Sequence, residues 1–344
     1  MGMEPDCARS FLPCEWPHDL IDFTSGIFAT NLGENNARLQ LRLANQLLLG
    51  AIHTYNYPSE IRQRYVDALC SRTGFECVAL FCEGAVAVEA ALRVMWANRP
   101  HKGIYCTPRP FMHGKTLAAK MDYGFELTPG TPVWPDEPGA GIILESYRGW
   151  DAHFWDAKWI QDLRAWCTEN DALLCMDEIQ SGFGRTGKFW AYEHYGIEPD
   201  LVVFGKAAGN GVPLSGVLGR KELLDLPGDL SATHSGHPLG CAAGLAVLEE
   251  FYRLGIVKEA DRKGRILQDR LRRMWPKVNG KGMVAALLTE DERQANHIVK
   301  RAYERGLLLV HTGKPSVKIG PPLVISDEEL NKGLDILQEV LKNG

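Results

Sequence analysis

The chain has no apolar stretch approaching the roughly 18 residues that a membrane-spanning helix requires. It also lacks an excess of basic charge, because 38 lysines and arginines against 43 aspartates and glutamates give a formal charge of −5. This balance provides no electrostatic attraction to nucleic acid or to an anionic membrane surface. We therefore predict neither a nucleic-acid partner nor a membrane partner.

The nine cysteines form no C-x-x-C pair and show no regular spacing. An odd number without a pairing pattern is typical of free thiols in a reducing compartment. The first residues lack the charged and apolar segments of a secretory signal. Histidines and cysteines nowhere have the spacing of zinc ligands. We expect a cytoplasmic protein without a metal.

Short apolar runs alternate with helical patterns between about residues 77 and 219. Runs of strand length occupy 78–82, 104–106, 142–145, 172–176, 201–204 and 215–218, and the clearest helical patterns occupy 85–97 and 160–167. Alternation of this kind requires crossover connections, so it predicts an α/β domain with a mostly parallel sheet.

The pattern changes after Pro238. Helical stretches at 239–253 and 256–274 are followed by a strand at 282–288, a helix at 295–304, strands near 307–310 and 317–319, and a closing helix behind a capping box that starts at Ser326. This order predicts a smaller α+β domain. We assign residues 45–245 to a large α/β domain, and residues 1–44 and 246–344 to the small one.

Lys206 and Asp177 each follow a strand-length apolar run, about thirty residues apart. In an open α/β sheet, ligands collect at the carboxyl ends of the strands, so the two side chains can face one cavity. Pyridoxal phosphate needs this pair, an amine for a Schiff base and a carboxylate against the pyridine nitrogen. A surface lysine and a helix-capping aspartate are the alternative for either residue alone.

Other residues are candidate ligands of the same cofactor. Gly84 and Ala85 follow a strand and open a helix, whose free N–H groups can bind a phosphate; a plain strand-to-helix turn is the alternative. Met112 lies in a loop where its side chain could cover one face of the ring. His113 beside it could instead be a capping or packing histidine. Gln180 could hydrogen-bond the phenolic oxygen of the ring.

Three further polar residues have competing interpretations. Thr233 could donate to a phosphate, or could belong to an ordinary loop before a helix. Lys318, within a short strand, could receive a substrate carboxylate, or could be an exposed strand residue. Glu178, next to the candidate carboxylate, is expected to point into the structure or into solvent.

Together these stretches resemble the class III aminotransferases of the pyridoxal phosphate fold type I, over about residues 21–341. The most specific part is 176–219, which contains D-E-I-Q-S-G-F-G-R-T-G and the Lys206 stretch. The resemblance implies a large cofactor domain with a seven-stranded type of sheet, flanked by helices. It also implies a small domain built from both termini and a homodimer with shared active sites.

The resemblance implies a role for each matching residue. Lys206 matches the Schiff-base lysine, Asp177 the partner of the pyridinium, and Gln180 the contact to the ring oxygen. The glycine turn described above matches the phosphate-binding turn. Thr233 matches the threonine that reaches the phosphate of the neighbouring subunit, and Glu145 the acidic residue that ends its strand.

The chain departs from the family pattern at four positions. Val86 stands where Glu or Asp is common, and Met112 replaces the aromatic residue that usually stacks on the ring. Trp150 occupies the place of a glutamate that in many members pairs with a substrate-binding arginine. Lys318 replaces the arginine that many members use to bind an α-carboxylate, and a lysine lacks the planar fork of an arginine. The chain is also shorter than most members, in segments that ordinarily help to form the substrate entrance.

The expected activity is therefore a pyridoxal-phosphate-dependent aminotransferase with a ping-pong Schiff-base mechanism. The expected donors are ω-amino acids, diamines or amines, and the expected acceptors are pyruvate or 2-oxoglutarate. A decarboxylase or an aminomutase of the same family is one alternative, and a non-catalytic protein of the same fold is another. A Rossmann dehydrogenase is excluded because no G-x-G-x-x-G turn opens the first strand–helix unit.

Overall fold

A computed structural model describes residues 20–49, 52–55, 57–103, 107–108, 111–120, 124–125, 139–226 and 230–342. The strand expected at 104–106 and the first 19 residues lie outside the described residues. Among the helices of the described chain, none combines the length and the apolar character that a membrane crossing needs.

The α-helices and strands follow one another along the chain as a mixed series. The described helices are α1 Ser25–Phe28, α2 Ala37–Leu48, α3 Glu60–Thr73, α4 Gly84–Asn98, α5 Leu117–Lys120, α6 Ala157–Glu169, α7 Lys221–Leu224, α8 Pro238–Leu254, α9 Ile256–Met274, α10 Glu292–Glu304 and α11 Asp327–Lys342. The described strands are β1 Ile21–Asp22, β2 Cys77–Phe81, β3 Thr107–Pro108, β4 Gly124–Phe125, β5 Gly141–Glu145, β6 Tyr147–Arg148, β7 His153–Phe154, β8 Leu173–Asp177, β9 Leu201–Phe204, β10 Ser215–Gly219, β11 Val278–Lys281, β12 Val284–Leu288, β13 Leu307–Leu308, β14 Val310–His311 and β15 Ser316–Ile319. Short 3₁₀ helices occupy Ala191–Tyr195 and Lys206–Ala208.

The largest described sheet has the order β2-β10-β9-β8-β5. β8 pairs in parallel with β5 and with β9, whereas β10 is antiparallel to its neighbours β2 and β9. Four of these five strands therefore run in the same direction. The predicted α/β class with a mostly parallel sheet is confirmed.

Both faces of this sheet are covered, which explains why its strands are continuous apolar runs. Ile143 packs with the buried side chains of α4 on one face. Its neighbours Ile142 and Leu144 face the opposite way and join the main core. Successive side chains of a strand point to opposite faces, so one short run can supply both cores.

A second sheet, of order β11-β12-β15-β14, is antiparallel throughout. Near it, β1 pairs in parallel with β13, with Ile21 opposite Leu307. The first described strand, β1, thus lies beside a strand from the C-terminal part of the chain. The boundary that we assign at residue 245 falls inside α8, and the division into two domains stays a proposal.

Several element ends differ from the sequence prediction for local reasons. The strand expected at 282–288 begins at Val284, because the two preceding residues form the hairpin turn between β11 and β12. The helix expected from residue 160 begins at Ala157, where the Asp156 carboxylate accepts the Trp159 N–H at 3.0 Å. Polar first turns hide such starts from apolar periodicity. The capping box is confirmed, since the Ser326 hydroxyl accepts the backbone N–H three residues later at 3.1 Å.

Candidate active site

A cavity of about 1190 Å³ opens at the carboxyl ends of the parallel strands. Glu145 ends β5, Asp177 ends β8, and Lys206 follows β9, and all three side chains line the cavity. Phe28 and Lys318, from the N- and C-terminal parts of the chain, complete the wall. The topology thus brings three predicted strand-end residues to one site, as an open α/β sheet requires.

Lys206 is held in an unusual backbone conformation. Its φ of 45° lies in the left-handed region, which a lysine rarely adopts. Backbone strain of this kind persists where the surroundings fix it and is concentrated at functional sites. Burial lowers the pKa of the Lys206 amine, while the negative charges of Asp177 and Glu145 oppose that shift. The amine is therefore neutral at a lower pH than an exposed lysine.

The Asp177 carboxylate is buried and held from two sides. One oxygen lies 2.8 Å from Nδ1 of His113, and the other accepts the backbone N–H of Ile179 at 3.0 Å. The second nitrogen of the imidazole lies 2.9 Å from the Thr107 hydroxyl, and the Phe111 ring stacks on the imidazole. This chain of contacts fixes the carboxylate at the cavity wall.

His113 therefore contacts the candidate carboxylate, and capping is not its role. The sequence did not reveal this contact, because 64 residues separate the two partners. Its only signal was the position of His113 in a loop expected to lie at the same edge of the sheet as Asp177.

The glycine turn at the start of α4 makes a narrow cradle. A Cβ on Gly84 would lie 3.0 Å from Cδ1 of Ile179, and a Cβ on Gly114 would lie 2.9 Å from that of Ala85. The Glu83 side chain does not cap the helix. The first N–H groups of this 15-residue helix thus face the cavity beside small residues. This is the arrangement in which helix ends bind phosphate.

Lys318 and Gln180 form a buried polar pair. The Lys318 ammonium donates to Oε1 of Gln180 and to the backbone carbonyl of Gly149. The Tyr147 hydroxyl donates to the same Oε1 at 3.1 Å. Only 2% of Lys318 is exposed, so its interpretation as an exposed strand residue is wrong. Burial, reinforced by the charge of Lys206, lowers the Lys318 pKa well below its ordinary value.

Glu145 is a half-buried acidic residue at the site. Its two oxygens accept the backbone N–H groups of Met112 at 3.2 Å and Gly149 at 3.0 Å. Burial raises the pKa of this carboxyl to about 7; Asp177 adds to the shift, and His113 opposes it. The side chain thereby joins the Met112 loop to the end of β5.

Apart from Lys318, the positions that depart from the family pattern lie at the rim of the site or outside it. Met112 lines the cavity, although 55% of it is exposed, and Val86 is 38% exposed. The half-buried Trp150 lines the cavity, with the Arg148 guanidinium 5.0 Å above its ring. Thr233 is exposed and is not among the cavity-lining residues that the structure describes.

Sequence reasoning missed two aromatic residues of the site. The Lys318 amine lies 4.2 Å from the ring centroid of Phe28 and 5.7 Å from that of Tyr147. Tyr147 follows the end of β5 by two residues, a signal that could have been used. Phe28 comes from a short N-terminal helix, and nothing in its local sequence indicated the contact.

Glu178 points into the structure, as expected. Its carboxylate accepts the hydroxyls of Ser146 and Ser181 at 2.6 and 2.7 Å, and the backbone N–H groups of Ala191 and Tyr192 at 3.0 and 2.8 Å. Burial raises the pKa of this carboxyl to about 7. Its role is structural, since every contact is internal.

The residues of the cavity fit pyridoxal phosphate. A buried amine, a fixed carboxylate, an amide and a glycine-bordered helix end supply one group for each polar part of that cofactor. A metal is not needed for this arrangement, and the described residues contain no group of three or more His, Cys, Asp or Glu side chains that could hold one.

Comparison with known sequences points to one family. The sequence model described as Aminotransferase class-III matches residues 134–341. The acetylornithine aminotransferase of Aquifex aeolicus is 31% identical over 353 residues, covering 94% of this chain and 92% of the relative. The enzyme of the same name from Gloeobacter violaceus is 32% identical over 358 residues, with 93% and 88% covered.

Solved structures have the same fold. The acetylornithine aminotransferase of Elizabethkingia anophelis superposes with a TM-score of 0.84 at 24% identity, covering 94% of this chain and 90% of the other. An S-selective transaminase from Arthrobacter sp. gives a TM-score of 0.85 at 20% identity, with 94% and 89% covered. At these identities the superpositions show the fold alone, which is the α/β fold of the transaminases.

Proposed function

Because this chain belongs to the class III aminotransferases, enzymes that use pyridoxal phosphate, we propose that it moves an amino group from an ω-amino acid, a diamine or an amine to a keto acid. Pyruvate and 2-oxoglutarate are the proposed acceptors. The observation that carries the proposal is the meeting of Lys206 and Asp177 in one cavity, at the carboxyl ends of adjacent parallel strands.

Each part of the cofactor has a proposed partner. The N–H groups of Gly84 and Ala85 would hold the phosphate, and the Asp177 carboxylate would face the pyridine nitrogen. The Gln180 amide would donate to the phenolic oxygen, and Met112 would cover one face of the ring. When bound, pyridoxal phosphate supplies an aldehyde that condenses with amines and a ring that withdraws electrons from the reacting carbon.

Lys206 is the proposed catalytic base. Its amine is neutral over a wider pH range than that of an ordinary lysine, because burial lowers its pKa. A neutral amine can condense with the aldehyde and can also accept the proton that the substrate carbon releases. The Asp177 carboxylate, held by His113 and by Ile179, would lie beside the ring nitrogen. An adjacent negative charge raises the pKa of that nitrogen.

The donor class is proposed from the cavity wall and from the relatives. The half-buried Trp150 gives the cavity wall an aromatic surface, which favours donors bound through apolar contact. The curated relatives named acetylornithine aminotransferase support a donor with a linear amine-bearing chain. In the first half-reaction the donor would give up its amino group, and in the second the keto acid would receive it, with Lys206 moving the proton in each.

We also propose a homodimer with shared active sites. Thr233 is exposed in its own chain, and by resemblance it would reach the phosphate of the partner. Beside α2, Leu48 and Leu49 are 84% and 77% exposed, apolar surface that a second copy could cover. Mixing K206A with T233A tests this arrangement. In a mixed dimer with shared sites, one of the two sites would contain both the native Lys206 and the native Thr233. Activity that does not return on mixing would contradict sharing through Thr233.

The transamination proposal is tested by adding amines to the protein loaded with pyridoxal phosphate. A competent donor shifts the absorbance to that of the pyridoxamine form, and a keto acid then reverses the shift. A panel of amines, diamines and ω-amino acids that produces no shift would contradict transamination. Release of carbon dioxide, or a product formed without a second substrate, would indicate the decarboxylase or aminomutase alternative.

A further inference from the structure

Lys318 lies on β15 and is buried at the cavity wall with 2% exposure. Its ammonium donates to the carbonyl of Gly149 and to Oε1 of Gln180, and it lies 4.2 Å from the ring centroid of Phe28. An ammonium has three N–H donors and no acceptor. Two of the three donors are used by the carbonyl oxygens, and the Phe28 ring lies within cation–π distance of the amine. One donor is left on a side chain that is only 2% exposed, so a substrate carboxylate has little access to it.

The contact with Gln180 has a directional consequence. The Tyr147 hydroxyl can donate or accept, so it would tolerate either end of the Gln180 amide. Lys318 donates in both of its hydrogen bonds, one to the Gly149 carbonyl and one to the Gln180 amide, so the amide oxygen faces it. The Gln180 amide nitrogen is thereby turned away from Lys318, and its two N–H groups point in another direction. Nε2 would lie 3.5 Å from a Cβ built on Gly149, at the edge of the cavity.

We propose that Lys318 is a positioning residue, which sets the orientation of the Gln180 amide toward the cofactor ring and takes no part in binding a substrate carboxylate. This inference rests on the proposed function. The reacting carbon then has no dedicated receptor for an adjacent carboxylate, which favours amines and ω-amino acids over α-amino acids. A keto acid that accepts the amino group must then bind its carboxylate through groups other than Lys318, and an aldehyde, which has no such carboxylate, is also a competent acceptor.

The other cations around the cavity fit this substrate class. Arg148 stacks over Trp150, and its Nε donates to Asp151 at 2.9 Å. Lys115 and Lys314 line the cavity but are exposed. A carboxylate that these two lysines bind lies toward solvent, which suits a carboxylate at the far end of an ω-amino acid.

The first test measures binding of pyridoxal phosphate to the apo-protein, by titration of the wild type, K318M, Q180A and the double variant. We expect each single change to weaken binding about tenfold, the value of one hydrogen bond of about 1.4 kcal/mol. If Lys318 acts through Gln180, the double variant weakens binding by no more than about twentyfold, because the effects of coupled residues do not add. An additive loss of about a hundredfold, or unchanged binding in K318M, would overturn the proposal.

The second test compares butylamine with norvaline, which carries an added carboxylate on the reacting carbon. The measurement is the rate of the first half-reaction by absorbance. A positioning role slows both donors equally in K318M, and their rate ratio stays within about threefold of the wild type. A selective loss of norvaline by more than about tenfold, with butylamine unaffected, would instead identify Lys318 as a carboxylate receptor.

K318R keeps the test decisive if K318M fails to fold. Arginine also donates without accepting, so we expect cofactor affinity within about threefold of the wild type. A loss of cofactor affinity of more than about tenfold would overturn the proposal. A failure of the proposed function gives a different result, because the wild type itself would then convert no donor. The comparison of pyridoxal phosphate binding among the variants would still test the role of Lys318.

Discussion

Replacement of Asp177 by asparagine removes one negative charge and keeps the shape of the side chain. The carboxylate is 5% exposed and has two internal contacts, Nδ1 of His113 at 2.8 Å and the N–H of Ile179 at 3.0 Å. Asparagine retains one acceptor oxygen for these contacts. The variant is therefore expected to fold and to lose a specific electrostatic function.

The structure sets different magnitudes for stability and for activity. A charge-assisted hydrogen bond is about twice as strong as a neutral one, so D177N should lower the free energy of unfolding by about 1–2 kcal/mol. Loss of one preorganised electrostatic group costs roughly 10²–10³ in kcat, and we expect about 10³ for a full charge. A change at Lys206 cannot explain this loss, because Asp177 raises the pKa of that amine and its removal leaves the amine more neutral.

The assay combines urea unfolding of the apo-protein with the amine half-reaction of the loaded protein. Asp200 provides a matched control at the opposite end of β9, where it accepts Nη1 of Arg164 at 2.6 Å and the N–H of Leu174 at 2.8 Å. D200N should lose a similar amount of stability, while its half-reaction rate stays within about threefold. A D177N protein that binds pyridoxal phosphate and reacts within tenfold of the wild type would refute the role that we assign to Asp177.

Three further predictions concern other residues of the site. The unfolded chain protonates Lys206 at a pH where the folded chain does not, so the free energy of unfolding of the apo-protein should rise as the pH increases toward 10.5, the ordinary pKa of a lysine. K206M should flatten this slope in urea titrations. Gly114→Ala forces a Cβ to 2.9 Å from that of Ala85 at a φ of 151°, and we expect about tenfold weaker cofactor binding by titration; unchanged affinity would argue against the phosphate turn. Glu178→Gln confronts buried N–H donors with an amide nitrogen and should cost about 2–4 kcal/mol in urea unfolding, and a loss of less than about 1 kcal/mol would contradict its structural role.

The sequence was sufficient for the sheet and for the residues at the ends of its strands. An apolar run of strand length predicts the strand itself. The polar residue that follows the run, Asp177 or Lys206, is then predicted to lie at the carboxyl end of that strand. Parallel pairing then brings such residues together, because all carboxyl ends lie at one edge.

Contacts between distant segments were not accessible in this way. The bond from His113 to Asp177 and the burial of Lys318 against Phe28 depend on how separate elements pack. A strand lysine has the same local pattern whether it faces solvent or a covered cavity. Polar first turns, such as the one before α6, also carry no apolar signal, so the starts of helices were misplaced by a few residues.

The central claim is that the amine of Lys206 is the group that bonds to the cofactor. Borohydride reduction of the protein loaded with pyridoxal phosphate, followed by peptide mass spectrometry, tests it directly, because Lys115, Lys314 and Lys318 line the same cavity. We predict one pyridoxyl group per chain, on Lys206. A label on Lys318 or on any other lysine, or no label at all, would contradict the account.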